Sequence, residues 1–153
     1  MYTTMLALIQ RVSRAAVDVE GGRISEIGKG LLVFLCAVRG DTVQDLDYTA
    51  RKVSEIRIFD DEQGKLNRSV QNIQGEVLVV SQFTLAADSR KGNRPSFGNA
   101  EAPEAALEQY TAFVRRLKDR GVSVKTGAFA ESMAVSLTND GPVTILIDSR
   151  TRS

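Results

Sequence analysis

The sequence predicts an α/β fold: a single domain of mixed β-sheet layers with two main helices, in the order β-strands–α–β–α–three β-strands. Three observations predict it. Up to Val38, apolar and β-branched residues come in short runs divided by glycine turns, as strands do. At Val43, Leu46, Ala50 and Val53, and again at Leu107, Tyr110, Val114 and Leu117, the spacing changes to three and four, one face of a helix. The 153 residues suit one domain able to bury a core without staples, so residues 1–153 are read as one unit.

Residues 5–12 read as a first strand and 15–20 as a second, with Gly21-Gly22 as the turn after it. Residues 23–27 form a short strand, Gly28-Lys29-Gly30 a turn, and 31–38 a buried apolar strand. Asp41 or Thr42 is the expected cap of the first helix. Ile56, Ile58 and Phe59 lead into a turn at 60–64, and residues 76–85 form a strong strand. A polar loop leads to the second helix, where Pro103 suits the first turn and Gly121 the position just past the end. Short strands follow at 122–126, 133–137 and 143–147.

Composition narrows the function classes. Net charge is +1, so any nucleic-acid surface has to be a local patch. The single cysteine, Cys36, lies in the apolar run LLVFLCAVRG and reads as a small buried residue; no intrachain disulfide can form. Histidine is absent, which removes Ser-His and Cys-His triads, histidine bases and the usual zinc sites. No cofactor or metal is expected. The opening MYTTMLALIQRV has neither a basic n-region nor a long apolar core, and residues 31–38 are too short to span a bilayer; a cytoplasmic protein without membrane contact is expected.

Four places stand out chemically. In VLVVSQFTL, four apolar residues run straight into Ser81, Gln82 and Thr84, with Phe83 among them. Polar groups at the end of a buried strand need partners or water, so this is either a strand surfacing or a ligand site at a strand end. A hydroxyl nucleophile there would need a base, and the local sequence offers none. The loop SRKGNRPSF carries Arg90, Lys91 and Arg94, which fits a solvated loop or a phosphate contact. Arg11 interrupts a strand, either as an exposed face or as an arginine orienting backbone carbonyls; Met133 reads as a core methionine by default. In TNDGPVTILIDS, Gly141-Pro142 opens an aliphatic run; proline gives no N–H to a ladder, so a turn is expected.

Taken together, SQFTL at 81–85, KGNRPSF at 91–97 and NDGPVT at 139–144 resemble the D-aminoacyl-tRNA deacylase family. IQRVSRA at 9–15, EIGKGLLVFL at 26–35, ARKVSEIRIF at 50–59 and KLNRSV at 65–70 carry the same resemblance, which runs in order from Met5 to Arg150. It implies an α/β fold of two sheet layers and a helical layer. It implies hydrolysis of the ester joining a D-amino acid, or glycine mischarged on tRNA for alanine, to the terminal adenosine of tRNA. It also implies a homodimer with active sites at the interface, contacting the 3′ end and acceptor stem of aminoacyl-tRNA.

By that resemblance, Ser81, Gln82, Phe83 and Thr84 line the catalytic pocket, and backbone N–H groups around Phe83 form an oxyanion hole. Gly141-Pro142 carries a cis peptide, enters the partner's site and rejects L side chains by steric conflict with its carbonyls. Arg11 orients those carbonyls, Met133 packs beside the pocket, and Lys91 and Arg94 meet acceptor-stem phosphates. Three departures from the family pattern are visible: four residues before the usual start, Leu6 where arginine is frequent, and Ala130 where glycine is common. A nucleic-acid binder without catalysis, a deacylase with relaxed chirality and a generic serine esterase are the competing readings; the last conflicts with the absence of histidine.

Overall fold

A long strand, β1 (Leu6–Val19), organises the fold, because β2 (Gly22–Ile27), β3 (Gly30–Cys36) and β8 (Ala134–Asp148) all pair with it in antiparallel fashion. The computed structural model describes residues 5–151, so the four-residue overhang before Met5 lies outside it. The sheet continues in the order β2-β1-β3-β6-β7, where β6 is Glu76–Ser81 and β7 is Ser123–Thr126. β3, β6 and β7 are parallel neighbours. Their crossovers carry α1 (Val43–Glu55) and α2 (Pro103–Asp119), which cover one face of the sheet. A small hairpin, β4 (Phe59–Asp60) with β5 (Leu66–Arg68), follows α1.

Two apolar layers hold these elements. One lies between the helices and the sheet, with Ile9, Leu31, Val33, Val79, Phe113 and Leu117 fully buried. The other lies on the opposite face, where Val12, Val17, Leu32 and Leu78 pack with Val135 and Leu137 of β8 and with Met133 just before it. Truncating a buried Leu or Phe in such layers costs about 2–5 kcal/mol. Gly30 is required where β3 meets β6, since a Cβ there would overlap the Glu76 backbone.

The start of α1 is a capping box. Thr42 Oγ1 accepts from the Asp45 N–H at 3.3 Å, and Asp45 accepts from the Thr42 N–H at 2.8 Å. Asp45 also accepts from the Ser149 hydroxyl at 2.7 Å, while that hydroxyl accepts from the Met5 N–H at 2.6 Å. One carboxylate therefore ties both ends of the described chain to the helix.

Several element boundaries differ from the sequence expectation. The two first strands are one, because β8 pairs with β1 along its whole length and carries it through residues 13–14. The last two of the three terminal strands are also one, β8, so Gly141-Pro142 lies within a strand and not at a turn between strands. The strand expected over 76–85 stops at Ser81, and Phe83–Ala86 form a 3-10 turn. The expected turn at 60–64 is the loop of the β4–β5 hairpin, whose two strands are too short to show a period; Asp61 accepts there from the N–H groups of Gln63 and Lys65. Leu107 remains 44% exposed and leaves the buried stripe of α2 to Tyr110, Phe113, Val114 and Leu117.

Candidate active site

The C-terminal ends of β3, β6 and β7 come out on the same side of the sheet, the usual place for a ligand crevice in parallel α/β architecture. A pocket of about 700 Å³ opens there. The end of β6 supplies Val80, Ser81, Gln82 and Phe83. The loop into α2 supplies Phe97 and residues 100–103, and the link between β7 and β8 supplies Phe129, Ala130, Glu131 and Met133. The lining is mainly apolar with a few polar groups, the character of a small-molecule site.

Phe83 and Phe97 meet edge to face at 5.2 Å and are both exposed, at 55% and 37%. The local sequence does not announce the partnership of Phe97 with Phe83; it needs the loop to fold back, which the bridge between Asp88 and Ser96 achieves. The Arg90 guanidinium pairs with Asp88 and holds that carboxyl below the usual carboxylate range.

The 3-10 turn leaves backbone donors at the pocket. Its first internal bond runs from the Leu85 N–H to the Gln82 carbonyl, and the Gln82 N–H is taken by the Leu35 carbonyl. Among the described residues no acceptor takes the Phe83 and Thr84 N–H groups, and no side chain caps the turn. Thr84 lies outside the pocket lining, and its hydroxyl accepts from the Gln82 side-chain amide. Behind the turn the Cys36 thiol is buried and reaches the Phe83 carbonyl at 3.6 Å; burial pushes its pKa up to about 11. A thiol in that state is a poor nucleophile.

Met133 lines the pocket, its Sδ accepting from the Ala128 N–H at 3.4 Å. Tyr110 supports Phe129 from below at 5.9 Å, and its hydroxyl donates to the Val79 carbonyl at 2.6 Å. Burial pushes the Tyr110 pKa up to about 12.

Gly141, Pro142 and Arg11 are elsewhere. Pairing passes from Gln10–Thr144 to Val12–Asn139, so residues 140–143 bulge from the ladder opposite Arg11. The Arg11 side chain is 11% exposed; its Nε donates to the Asp140 carbonyl at 2.8 Å and Nη1 to the Ile58 carbonyl at 2.9 Å. Asn139 closes the bulge by accepting from the Val143 N–H at 2.9 Å. The Gly141-Pro142 peptide is cis, and both residues are exposed. A Cβ on Gly141, at φ +139°, would stand 2.9 Å from Val143 Cγ2 and 3.0 Å from Arg11 Nη2. Lys91 and Arg94 are exposed in the loop between Asp88 and Ser96, outside the pocket lining.

The sequence and the fold have known counterparts. The family model described as D-Tyr-tRNA(Tyr) deacylase matches residues 8–148. A D-aminoacyl-tRNA deacylase of Paracoccus denitrificans (strain Pd 1222) is 58% identical over 149 residues, covering 97% of this chain and 100% of the relative. A protein of the same name from Persephonella marina (strain DSM 14350 / EX-H1) is 55% identical over 95% of this chain and 99% of its own. A solved structure named c-Myc DNA Unwinding Element Binding Protein superposes with a TM-score of 0.88 at 43% identity, over 93% of this chain and 97% of that one. A probable eukaryotic D-amino acid tRNA deacylase superposes with a TM-score of 0.83 at 17% identity, a likeness of fold.

Proposed function

Because the chain belongs to the D-Tyr-tRNA(Tyr) deacylase family, with relatives named D-aminoacyl-tRNA deacylase, we propose that it hydrolyses the ester of D-aminoacyl-tRNA to free tRNA and amino acid. The observation that carries this reading is the unfilled backbone N–H of Phe83, a residue lining an apolar pocket, with that of Thr84 next to it, in a chain without histidine. An aminoacyl ester is already activated. It needs a water for attack, donors for the developing oxyanion and a route for the proton. Water adds to the ester carbonyl carbon, negative charge grows on the carbonyl oxygen facing those N–H groups, and the bond to the ribose oxygen then breaks. The proton passes to that leaving oxygen, with the neighbouring ribose 2′-hydroxyl as carrier. Ser81 and Gln82 orient the ester, Met133 packs against the aminoacyl group, and Thr84 forms no covalent intermediate.

Gly141 and Pro142 are placed away from the pocket of their own chain, so their part in selection requires a second copy. In this reading the protein is a homodimer, each bulge entering the partner's pocket. Arg11 holds the bulge by the Asp140 carbonyl, and backbone carbonyls close the space an L side chain would occupy. D residues point away and glycine has no side chain, so glycyl-tRNA for alanine is a substrate too. Lys91 and Arg94 meet acceptor-stem phosphates, and the protein works in the cytoplasm, where charged tRNA is found; among the described residues no helix is long and apolar enough to cross a membrane.

The name of one solved relative favours a second reading, nucleic-acid binding without turnover. Side-by-side deacylation of D-Tyr-tRNA, L-Tyr-tRNA and Gly-tRNA decides between them. Loss of the D and glycyl esters with the L ester spared is expected. Loss of all three would overturn chiral selection, and binding of tRNA with no hydrolysis would replace catalysis by the second reading.

A further inference from the structure

A second cleft, of about 470 Å³, opens between α1 and the last residues of β8 and shares no residue with the pocket at the end of β6. Its charged lining is Arg51, Lys52 and Arg57 with Glu55 and Asp148. Both carboxylates are answered by cations from outside the cleft: Arg120 stands 3.3 Å from Glu55, and Arg150 2.6 Å from Asp148. Among the described residues Lys52 and Arg57 form no ion pair. The Tyr48 ring draws Arg51 and Lys52 to itself, at 5.7 and 5.8 Å from its centroid. A lysine in the last turn of a helix complements the helix dipole, which accounts for Lys52 but not for Arg57, which lies beyond the helix. The chain as a whole carries only +1, so the excess of cations here is local. The cleft is also tied to the bulge. Arg57 precedes Ile58, whose carbonyl Arg11 binds, and Leu146 lies about 13 Å along β8 from Pro142.

We propose that this cleft binds the phosphate backbone of the substrate tRNA, with Lys52 and Arg57 as its phosphate contacts and Tyr48 holding Arg51 beside them. This rests on the reading of the chain as acting on aminoacyl-tRNA, and it gives the tRNA a grip separate from the pocket that holds the ester. Contacts to phosphate add affinity and fix orientation without reading bases.

The test compares Lys52→Gln/Arg57→Gln with a charge-matched control, Lys29→Gln/Arg115→Gln, whose two exposed cations lie outside the cleft. Affinity for uncharged tRNA is measured by filter binding between 50 and 200 mM salt, about the range over which phosphate contacts show. Loss of two such contacts should flatten the slope of log affinity against log salt by about 1.4–1.8 and weaken binding at the lowest salt by roughly ten- to a hundredfold. The control should stay within about twofold of the parent. If the double variant melts below the parent, Arg57→Gln alone decides, with about half the change in slope, and Arg57→Lys should keep the parent slope. A parent that binds tRNA but hydrolyses no ester would overturn the catalytic reading alone, and a flattened slope would still support the cleft. An unchanged slope, an equal loss in the control or a parent that binds no tRNA would overturn the proposal. So would a double variant that loses self-association in sedimentation at the same concentrations where it loses tRNA, because the cleft would then belong to a second copy of the chain.

Discussion

Removing the guanidinium of Arg11 should destabilise the chain by about 2–3 kcal/mol. The side chain makes two bonds to backbone carbonyls, to Asp140 at 2.8 Å and Ile58 at 2.9 Å. A hydrogen bond to a charged group contributes about 1.5–3 kcal/mol. The Asp140 contact is solvent-exposed, so water replaces much of it; the Ile58 contact is half-buried and retains more of its value. Asp60 stands 3.7 Å away but is 57% exposed, and such pairs contribute about 0–1 kcal/mol. Arg11→Met is therefore expected to lower Tm by roughly 4–12 °C. Circular dichroism at one fixed protein concentration measures it, because association would make Tm concentration-dependent. Arg11→Lys keeps the charge beside Asp60 but cannot span two carbonyls with a planar fork, and should recover less than half of the loss. An Arg11→Met protein melting with the parent would refute the idea that the guanidinium braces the bulge. Full rescue by lysine would show that attraction to Asp60 is what matters.

Gly141→Ala should cost about 1–3 kcal/mol, since the new Cβ meets Val143 and Arg11 at a φ of +139°, and should raise the rate on L-Tyr-tRNA relative to D-Tyr-tRNA; thermal melts and paired deacylation assays check both halves. Thr84→Ala should keep kcat/KM within a few-fold, whereas loss of a true nucleophile costs on the order of 10⁴–10⁶ in rate. Stability should be fully present below pH 9 and decline above it. The folded state raises the Cys36 thiol from 9.0 to about 11 and the Tyr110 hydroxyl from 10.0 to about 12, so the unfolded chain releases these protons first. Urea midpoints from pH 8 to 11 follow the decline, and Cys36→Ala should remove its part between 9 and 11.

Much of the fold was readable because its signals are local. The change from β-runs to helical spacing at Val43 located α1, and Thr42 with Asp45 forms the cap there. Pro103 begins α2 as expected at a first turn. The motif at 81–84 was legible as polar groups breaking out of a buried strand: Ser81 ends β6, and Gln82 and Phe83 follow it in the pocket lining, while Thr84 lies outside that lining. Phe97, Phe129 and the left-handed Ala130 were not legible as a wall. Phe97 belongs to the loop before α2 and the other two to the link after β7, and only the parallel order of β3, β6 and β7 brings those two segments together.

Composition and spacing decided the class of fold, the helix positions and the exclusion of histidine chemistry, because these depend on residue identity and on neighbours within a turn or a strand. Only the tertiary structure decided that each pair of expected strands, at either end of the chain, is a single one. β1 and β8 pair across more than a hundred residues of sequence, and their ladder tolerates the bulge at 140–143 that local reading takes for a turn. It likewise chose between the two readings the sequence left for Arg11, since the side chain is 11% exposed and bonds backbone carbonyls. The carbonyls it binds come from Asp140 and Ile58, which no spacing near Arg11 can announce.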